Sequence, residues 1–177
     1  MKLSTSLLVN TTLIGLLTLS PAFAKHSSPI SSAEIGSLAS IAAIDKTEIL
    51  AGILANHKNT ASNVNDFANT MIDQHGNNFT QILEIANNHS LSGGASEKLK
   101  AQGKKELLKL GSLKGNEFEK AYVDAMVTGH EAALKLIDTQ LIKTAKSEEI
   151  KKFLTETRAT VATHLEHAKK LQEELKA

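Results

Sequence analysis

The sequence predicts an all-α protein, a four-helix bundle with a long crossover between its second and third long helices. Three observations lead to this fold class. The only two prolines, Pro21 and Pro29, precede the segments with helical patterning, so nothing later in the chain forbids long helices. Ala, Leu, Ile, Lys and Glu dominate, and only 3% of the residues are aromatic, which favours helix over strand. Apolar residues recur at helical spacing in four long segments.

The first two long helices have recognisable ends. Ser31 is followed three residues later by Glu34, the pattern of a capping box, and it predicts a helix that runs from there to near His57. Asn59 or Thr60 can cap the second long helix. Asparagines and glycines after residue 86 are expected to end it.

The second half begins with a connection that is predicted to hold one short helix, over residues 97–110. The glycines at 111 and 115 are expected to break the chain again. The third long helix is predicted to start with Asn116 as its cap. The fourth starts at Ser147, where Glu148 and Glu149 suit the positive end of the helix dipole.

The lengths of the connections predict how the helices are arranged. Only a few residues join the first helix to the second and the third to the fourth, so each of these pairs is expected to be antiparallel. The connection between the second and third is much longer than the usual link between bundle neighbours. Such a length suits one long crossover containing a short extra helix, which is the ferritin-like arrangement of a four-helix bundle.

Three segments are expected along the chain. Residues 1–24 have a positive start, an apolar stretch and a small-x-small ending at Ala24, the order typical of a secretory signal peptide. Residues 25–30 form a short tail, and residues 31–177 form the bundle domain. We therefore expect an exported, periplasmic protein, with outer-membrane association or secretion as alternatives.

The composition restricts the partners and the chemistry. Without Lys2, the 20 basic residues fall to 19 and balance the 19 acidic ones, so no nucleic-acid partner is expected. No later apolar stretch is long enough to span a membrane. The chain has no cysteine, and any metal site must therefore use His, Asp and Glu side chains. The sequence identifies no protein partner.

Three of the seven histidines fall inside predicted apolar stripes. They are His75, His130 and His164, on the second, third and fourth long helices. A buried imidazole without a partner is energetically costly, and the first helix offers the carboxylates of Asp45 and Glu48 near its middle. At 1.5 Å per residue, the levels of Glu48 and the three histidines differ by up to about 9 Å. This difference is small enough for the side chains to meet.

Two interpretations of this cluster remain open from the sequence. Glu48, His75, His130 and His164 form a metal site for zinc, iron, manganese or copper, all of which accept nitrogen and oxygen ligands. Alternatively, they form a hydrogen-bonded polar cluster in the core with no metal and no other cofactor. No spacing between the histidines is diagnostic, and no motif marks a catalytic residue. We therefore assign no catalytic residue; enzyme activity stays open, and a non-enzyme is favoured.

Five short segments together resemble a known family. The sequence is similar to the exported, ferritin-like domain-of-unknown-function family 4142, whose members are labelled predicted outer-membrane proteins. The resemblance extends over about residues 33–170. It depends on the order and spacing of residues 47–51, 64–75, 115–122, 126–130 and 164–168.

The resemblance implies a ferritin-like bundle, and the recurrent polar positions of the family match Glu48, Asp73, His75, His130 and His164. It implies no activity, since the family has none firmly assigned. The chain also departs from di-iron ferritins, which carry Glu three residues before His on two helices. Ile72 and Val161 stand at those places here. The two function classes left are a periplasmic metal-binding bundle and a non-catalytic envelope or stress protein that acts through its surface.

The predicted signal peptide has a direct test. The exported protein is expected to begin at Lys25 and to be released from cells by osmotic shock, because the peptidase site ends at Ala24. N-terminal sequencing of the released protein measures this. An intact N-terminus, or a protein that stays with membranes after a high-salt wash, would contradict it.

Overall fold

A computed structural model describes residues 29–87 and 89–176. All the regular secondary structure in these residues is helical, and they contain no strand. This confirms the predicted all-α fold. The helices are α1 (Ser32–His57), α2 (Ser62–Ala86), α3 (Ser96–Ser112) and α4 (Gly115–Leu136), followed by a π-helical turn (Ile137–Leu141), the short α5 (Ile142–Thr144) and the long α6 (Glu148–Glu174).

The first helix begins at the capping box that the sequence predicts. The Ser31 side chain accepts from the Glu34 backbone N–H, and the Ser31 backbone N–H donates to the Glu34 carboxylate. The other carboxylate oxygen of Glu34 accepts from the backbone N–H groups of Lys146 and Ser147 at 2.9 and 2.7 Å. Glu34 therefore connects the start of α1 with the start of α6.

Contacts at the two ends of the bundle fix the direction of the helices. Glu34 places the starts of α1 and α6 at the same end, beside the end of α5. At the opposite end, the backbone N–H of Ala61, just before α2, donates to Glu119 near the start of α4. Thus α2 and α4 run parallel to each other and antiparallel to α1 and α6. This is the predicted ferritin-like topology with one long crossover.

The crossover helix α3 runs along α1 in the same direction. Three contacts at successive levels show this. Gly94 lies against Gly36 so closely that a Cβ on Gly94 would be 2.8 Å from the Gly36 oxygen. A Cβ on Gly103 would collide with the Thr47 side chain. Near the end of both helices, Lys58 Nζ donates to the carbonyl of Gly111 at 2.8 Å.

The core consists of two apolar clusters stacked along the bundle. One surrounds Phe67, Phe118 and Tyr122, near the end where α1 turns into α2. The other surrounds Ile82, Ile137 and Leu154, near the opposite end. The buried polar side chains of the helix middles lie between the two clusters.

Several predicted helix ends are wrong by a few residues. The N-cap of α2 is Ala61 and that of α4 is Lys114, and neither cap makes a side-chain hydrogen bond, whereas Asn59 or Thr60 and Asn116 were expected to cap them. The reason at α2 is tertiary: Glu119 binds the Ala61 N–H at 2.6 Å. The short helix spans Ser96–Ser112 instead of 97–110.

Other expectations concern residues outside the described ranges. The predicted signal peptide, residues 1–24, and residues 25–28 of the predicted tail both lie there. Within residues 29–87 and 89–176, no helix has the length and apolar character needed to cross a membrane.

The Glu34 connection predicts a specific acid sensitivity. Burial alone would raise the pKa of Glu34, but hydrogen bonds from Ser31, Ser147 and Lys146 lower it to about 2, from an ordinary 4.5. Because the folded pKa is depressed, the stabilisation is complete above pH 4.5 and is lost as the pH falls toward 2.

Glu34→Gln is expected to lower the free energy of unfolding at pH 7 by about 1–3 kcal/mol, since it replaces a charged acceptor of several partly buried hydrogen bonds. Urea unfolding at pH 7 and pH 3 measures this, and the difference between variant and parent is expected to shrink at pH 3. The exposed Glu84→Gln on α2 is the matched control. Equal losses in both variants would contradict the assigned role.

Candidate metal centre

A layer of buried polar side chains separates the two apolar clusters. It contains Asp45 and Glu48 from α1, His75 from α2, His130 from α4 and His164 from α6, each no more than 6% exposed. All five lie near the middle of long helices. Helix α1 therefore contributes two side chains to the layer, and α2, α4 and α6 contribute one each.

The three imidazole rings lie against one another. Their centroids are 5.7 Å apart for His75 and His130, 5.2 Å for His75 and His164, and 5.3 Å for His130 and His164. One ring nitrogen from each histidine lies within 4.8 Å of the other two. Residues from three helices thus converge on one point.

Each ring is oriented by a hydrogen bond through a nitrogen on its outer side. His75 Nδ1 donates to Asp45 Oδ1 at 2.8 Å, and His130 Nδ1 donates to the Met126 carbonyl at 2.7 Å. His164 Nε2 lies 2.9 Å from the side-chain oxygen of Gln74. These bonds leave His75 Nε2, His130 Nε2 and His164 Nδ1 as the inner nitrogens.

The inner nitrogens have few partners of their own. His130 Nε2 and His164 Nδ1 are 3.3 Å apart, and His75 Nε2 is buried with no hydrogen-bond partner among the described residues. Asp45 Oδ2, Glu48 Oε2 and the Tyr122 hydroxyl are also buried without a partner. An orphaned buried polar atom costs about 1–3 kcal/mol, and the layer concentrates several such atoms.

The pKa values of the three histidines shift in different directions: those of His130 and His164 are lowered, and that of His75 is raised. Burial lowers the pKa of His130, and it lowers the pKa of His164 to about 3 with help from the neighbouring histidines. These two rings are neutral at physiological pH, the state that coordinates metal. Burial also lowers the pKa of His75, but the hydrogen bond to Asp45 and the Glu48 and Asp45 charges outweigh it and raise the pKa overall. Burial raises the pKa of Asp45 to about 6.

The structure brings the three predicted histidines together, but the predicted carboxylate, Glu48, is not in the group of converging ligand atoms. Glu48 is buried within the layer, and its charge acts on His75, His130 and Tyr122. Its oxygens are not part of the group of ligand atoms that lie within 4.8 Å of one another. The carboxylate in direct contact with a ring is that of Asp45.

The other described histidines are not part of the cluster. His57, His89 and His167 are exposed, and the ring of His167 lies 5.0 Å from that of Phe67. His26 falls outside the described residues. Asp73, a recurrent polar position in the family resemblance, is exposed on α2.

Two partners of the histidines were missed in the sequence. Gln74 is adjacent to His75 but falls off the apolar stripe, so no periodicity marks it. The Met126 carbonyl is a backbone group that carries no sequence signal at all. For Asp45 a signal was present, because a carboxylate at a buried stripe position requires a partner.

Comparisons with known proteins support the fold. A crystal structure of a DUF305 fragment from Deinococcus radiodurans is similar, with a TM-score of 0.72, and the match covers 83% of this chain and 99% of that one. The sequences are only 11% identical, so the likeness concerns the ferritin-like helical fold alone. No curated protein matches the sequence.

The family comparison agrees with the resemblance found in the sequence. The family model described as a domain of unknown function, DUF4142, matches residues 20–171. The match covers the whole bundle from before α1 to near the end of α6. The chain therefore belongs to the DUF4142 family.

Proposed function

We propose that this protein is an exported bundle that binds a single divalent metal ion through His75, His130 and His164, with Glu48 as the carboxylate of the site. The convergence of three inner ring nitrogens, one of them orphaned, is the observation that carries the proposal. Zinc, iron, manganese and copper all suit imidazole and carboxylate ligands. Export is inferred from the signal-like residues 1–24.

The hydrogen bonds on the outer side of the rings support a metal. Histidine ligands almost always donate their other N–H to a carboxylate, a carbonyl or a water, which fixes the tautomer and the ring orientation. Here the outer partners are the Asp45 carboxylate, the Met126 carbonyl and the Gln74 side chain. The lone pairs are left on the inner side, where an ion would bind.

The distance between two inner nitrogens also fits a metal site. Two nitrogens that bind a tetrahedral ion at about 2.0–2.1 Å are about 3.3–3.4 Å apart. His130 Nε2 and His164 Nδ1 are separated by 3.3 Å. This pair therefore needs little rearrangement to chelate an ion, whereas His75 Nε2 approaches from α2.

The alternative is a metal-free hydrogen-bond network in a non-catalytic envelope or stress protein. The same 3.3 Å contact favours it, because His164 Nδ1–H can donate to His130 Nε2 while Gln74 presents its amide nitrogen to His164. Such a network leaves His75 Nε2 without a partner. The metal interpretation satisfies all three rings, and we prefer it for that reason.

The first test is the response of stability to metal. Zinc, iron, manganese or copper is expected to raise the melting temperature of the metal-free protein, since the ion binds the assembled site and not the dispersed ligands. His130→Ala is expected to abolish most of this rise. Differential scanning calorimetry with and without each ion, on tag-free protein, measures both.

His57→Ala is the matched control, because His57 is exposed at the end of α1 and makes the same change in composition. It is expected to leave the metal response intact. If none of the four ions changes the melting temperature of the unaltered protein, the metal site is wrong and the hydrogen-bond network is preferred.

The second test concerns the outer partner of His75. Asp45→Asn keeps an acceptor for His75 Nδ1–H but removes the charge, and it is expected to weaken metal affinity by about 10–100-fold. Isothermal titration calorimetry measures the affinity. Asp66→Asn, at an exposed position of α2, is expected to have no effect, and an equal loss in both variants would show that Asp45 does not support the site.

A further inference from the structure

A solvent-open cleft lies on the side of the bundle between α1 and α4. Its volume is about 740 Å³, within the range of about 300–1,000 Å³ that is common for small-molecule sites. Helix α1 contributes the floor, α3 one wall and α4 the other. The exposed side chains of Lys98, Lys105 and Gln140 mark its rim.

The interior of the cleft is mostly apolar. Ile44, Leu99, Met126, Ala133 and Leu136 line it. An apolar lining with a few placed polar groups is typical of sites for small organic molecules, because the lining supplies affinity and the polar groups fix the orientation.

Glu48 is the polar group at the floor, beside Gly129 of α4. A Cβ on Gly129 would stand 3.3 Å from Glu48 Oε1, a tight contact, so glycine at this position keeps the space next to the carboxylate open. Glu48 is 6% exposed, and its Oε2 is buried with no hydrogen-bond partner among the described residues. A buried carboxylate oxygen without a donor is unfavourable.

A second carboxylate of the cleft lacks a donor too. Glu106 of α3 has a buried Oε1 without a hydrogen bond, and Lys109 Nζ lies 3.8 Å from it, beyond hydrogen-bonding distance. The lysines of the cleft are exposed at its rim, where water and salt screen their charges. Inside the cleft, the Glu106 carboxylate has an ion-pair partner in Lys109, whereas the buried Glu48 Oε2 has neither a hydrogen bond nor an ion pair among the described residues.

We propose that this cleft binds a small organic amine whose ammonium group donates to Glu48 and whose apolar body lies against Met126, Ala133 and Leu136. An ammonium supplies both the missing donor and the opposite charge, and charge-assisted hydrogen bonds are about twice as strong as neutral ones. A carboxylate ligand would be repelled by Glu48. The proposal does not depend on a metal at the histidine cluster.

Three probes of equal length test the chemistry of the cleft. Hexylamine, hexanol and hexanoate are titrated into ¹⁵N-labelled protein at pH 7 with EDTA present, and amide shifts are followed. Hexylamine is expected to bind about tenfold more tightly than hexanol, with shifts at Gly103, Met126 and Gly129, and hexanoate is expected not to bind. Equal binding of hexylamine and hexanoate, or shifts elsewhere only, would overturn the proposal.

Two variants test separately the charge of Glu48 and the space beside it. Glu48→Gln is expected to abolish the preference for hexylamine over hexanol, and Gly129→Leu, which fills the space beside Glu48, is expected to abolish binding of both. Glu166→Gln removes the same charge from an exposed position on α6 and is expected to change nothing. Unchanged hexylamine binding in both Glu48→Gln and Gly129→Leu would overturn the proposal. If either variant fails to fold, the three-probe comparison on the unaltered protein still decides it.

Discussion

The need to satisfy imidazole rings buried between two apolar clusters is the constraint on which the rest of the structure depends. Each unpaired atom in that layer costs about 1–3 kcal/mol, so the register of the helices is restricted to one that supplies partners. The hydrogen bond of His75 to Asp45 joins α2 to α1. His164 joins α6 to α2 through Gln74 and to α4 through His130.

At the level of the layer, these hydrogen bonds join three of the four pairs of neighbouring helices: α1 with α2, α2 with α6, and α6 with α4. Among the described residues, no hydrogen bond of the layer joins α1 to α4. The cleft lies on that side, with Glu48 at its floor. Gly94, just before α3, and Gly103, within α3, allow the crossover to pack closely along α1. Helix α3 thus forms one side of the cleft and leaves its interior open. The long crossover thus determines which face of the layer remains reachable from solvent.

The sequence predicted what depends on local chemistry and on periodicity. The Ser31–Glu34 capping box and the placement of His75, His130 and His164 in the core are of this kind. The predicted caps of α2 and α4 were wrong. At α2 the reason is that Glu119 of α4 binds the Ala61 backbone N–H. The break predicted between Gly111 and Gly115 lies between Ser112, the end of α3, and Gly115, the start of α4. There Lys58, the C-cap of α1, binds the Gly111 carbonyl. Such contacts link residues far apart in sequence and leave no local pattern.

Glu48 shows the same limit within the site. The sequence predicted its carboxylate near the middle of α1, at a level close to those of the three histidines. Whether it faces the rings or the cleft depends on how far α3 and α4 stand apart and on the missing side chain at Gly129, neither of which the pattern of α1 encodes. The structure places it between the two. A metal ion at the three imidazoles and an amine in the cleft would then compete for the Glu48 carboxylate. Each would therefore lower the affinity of the protein for the other by the same factor.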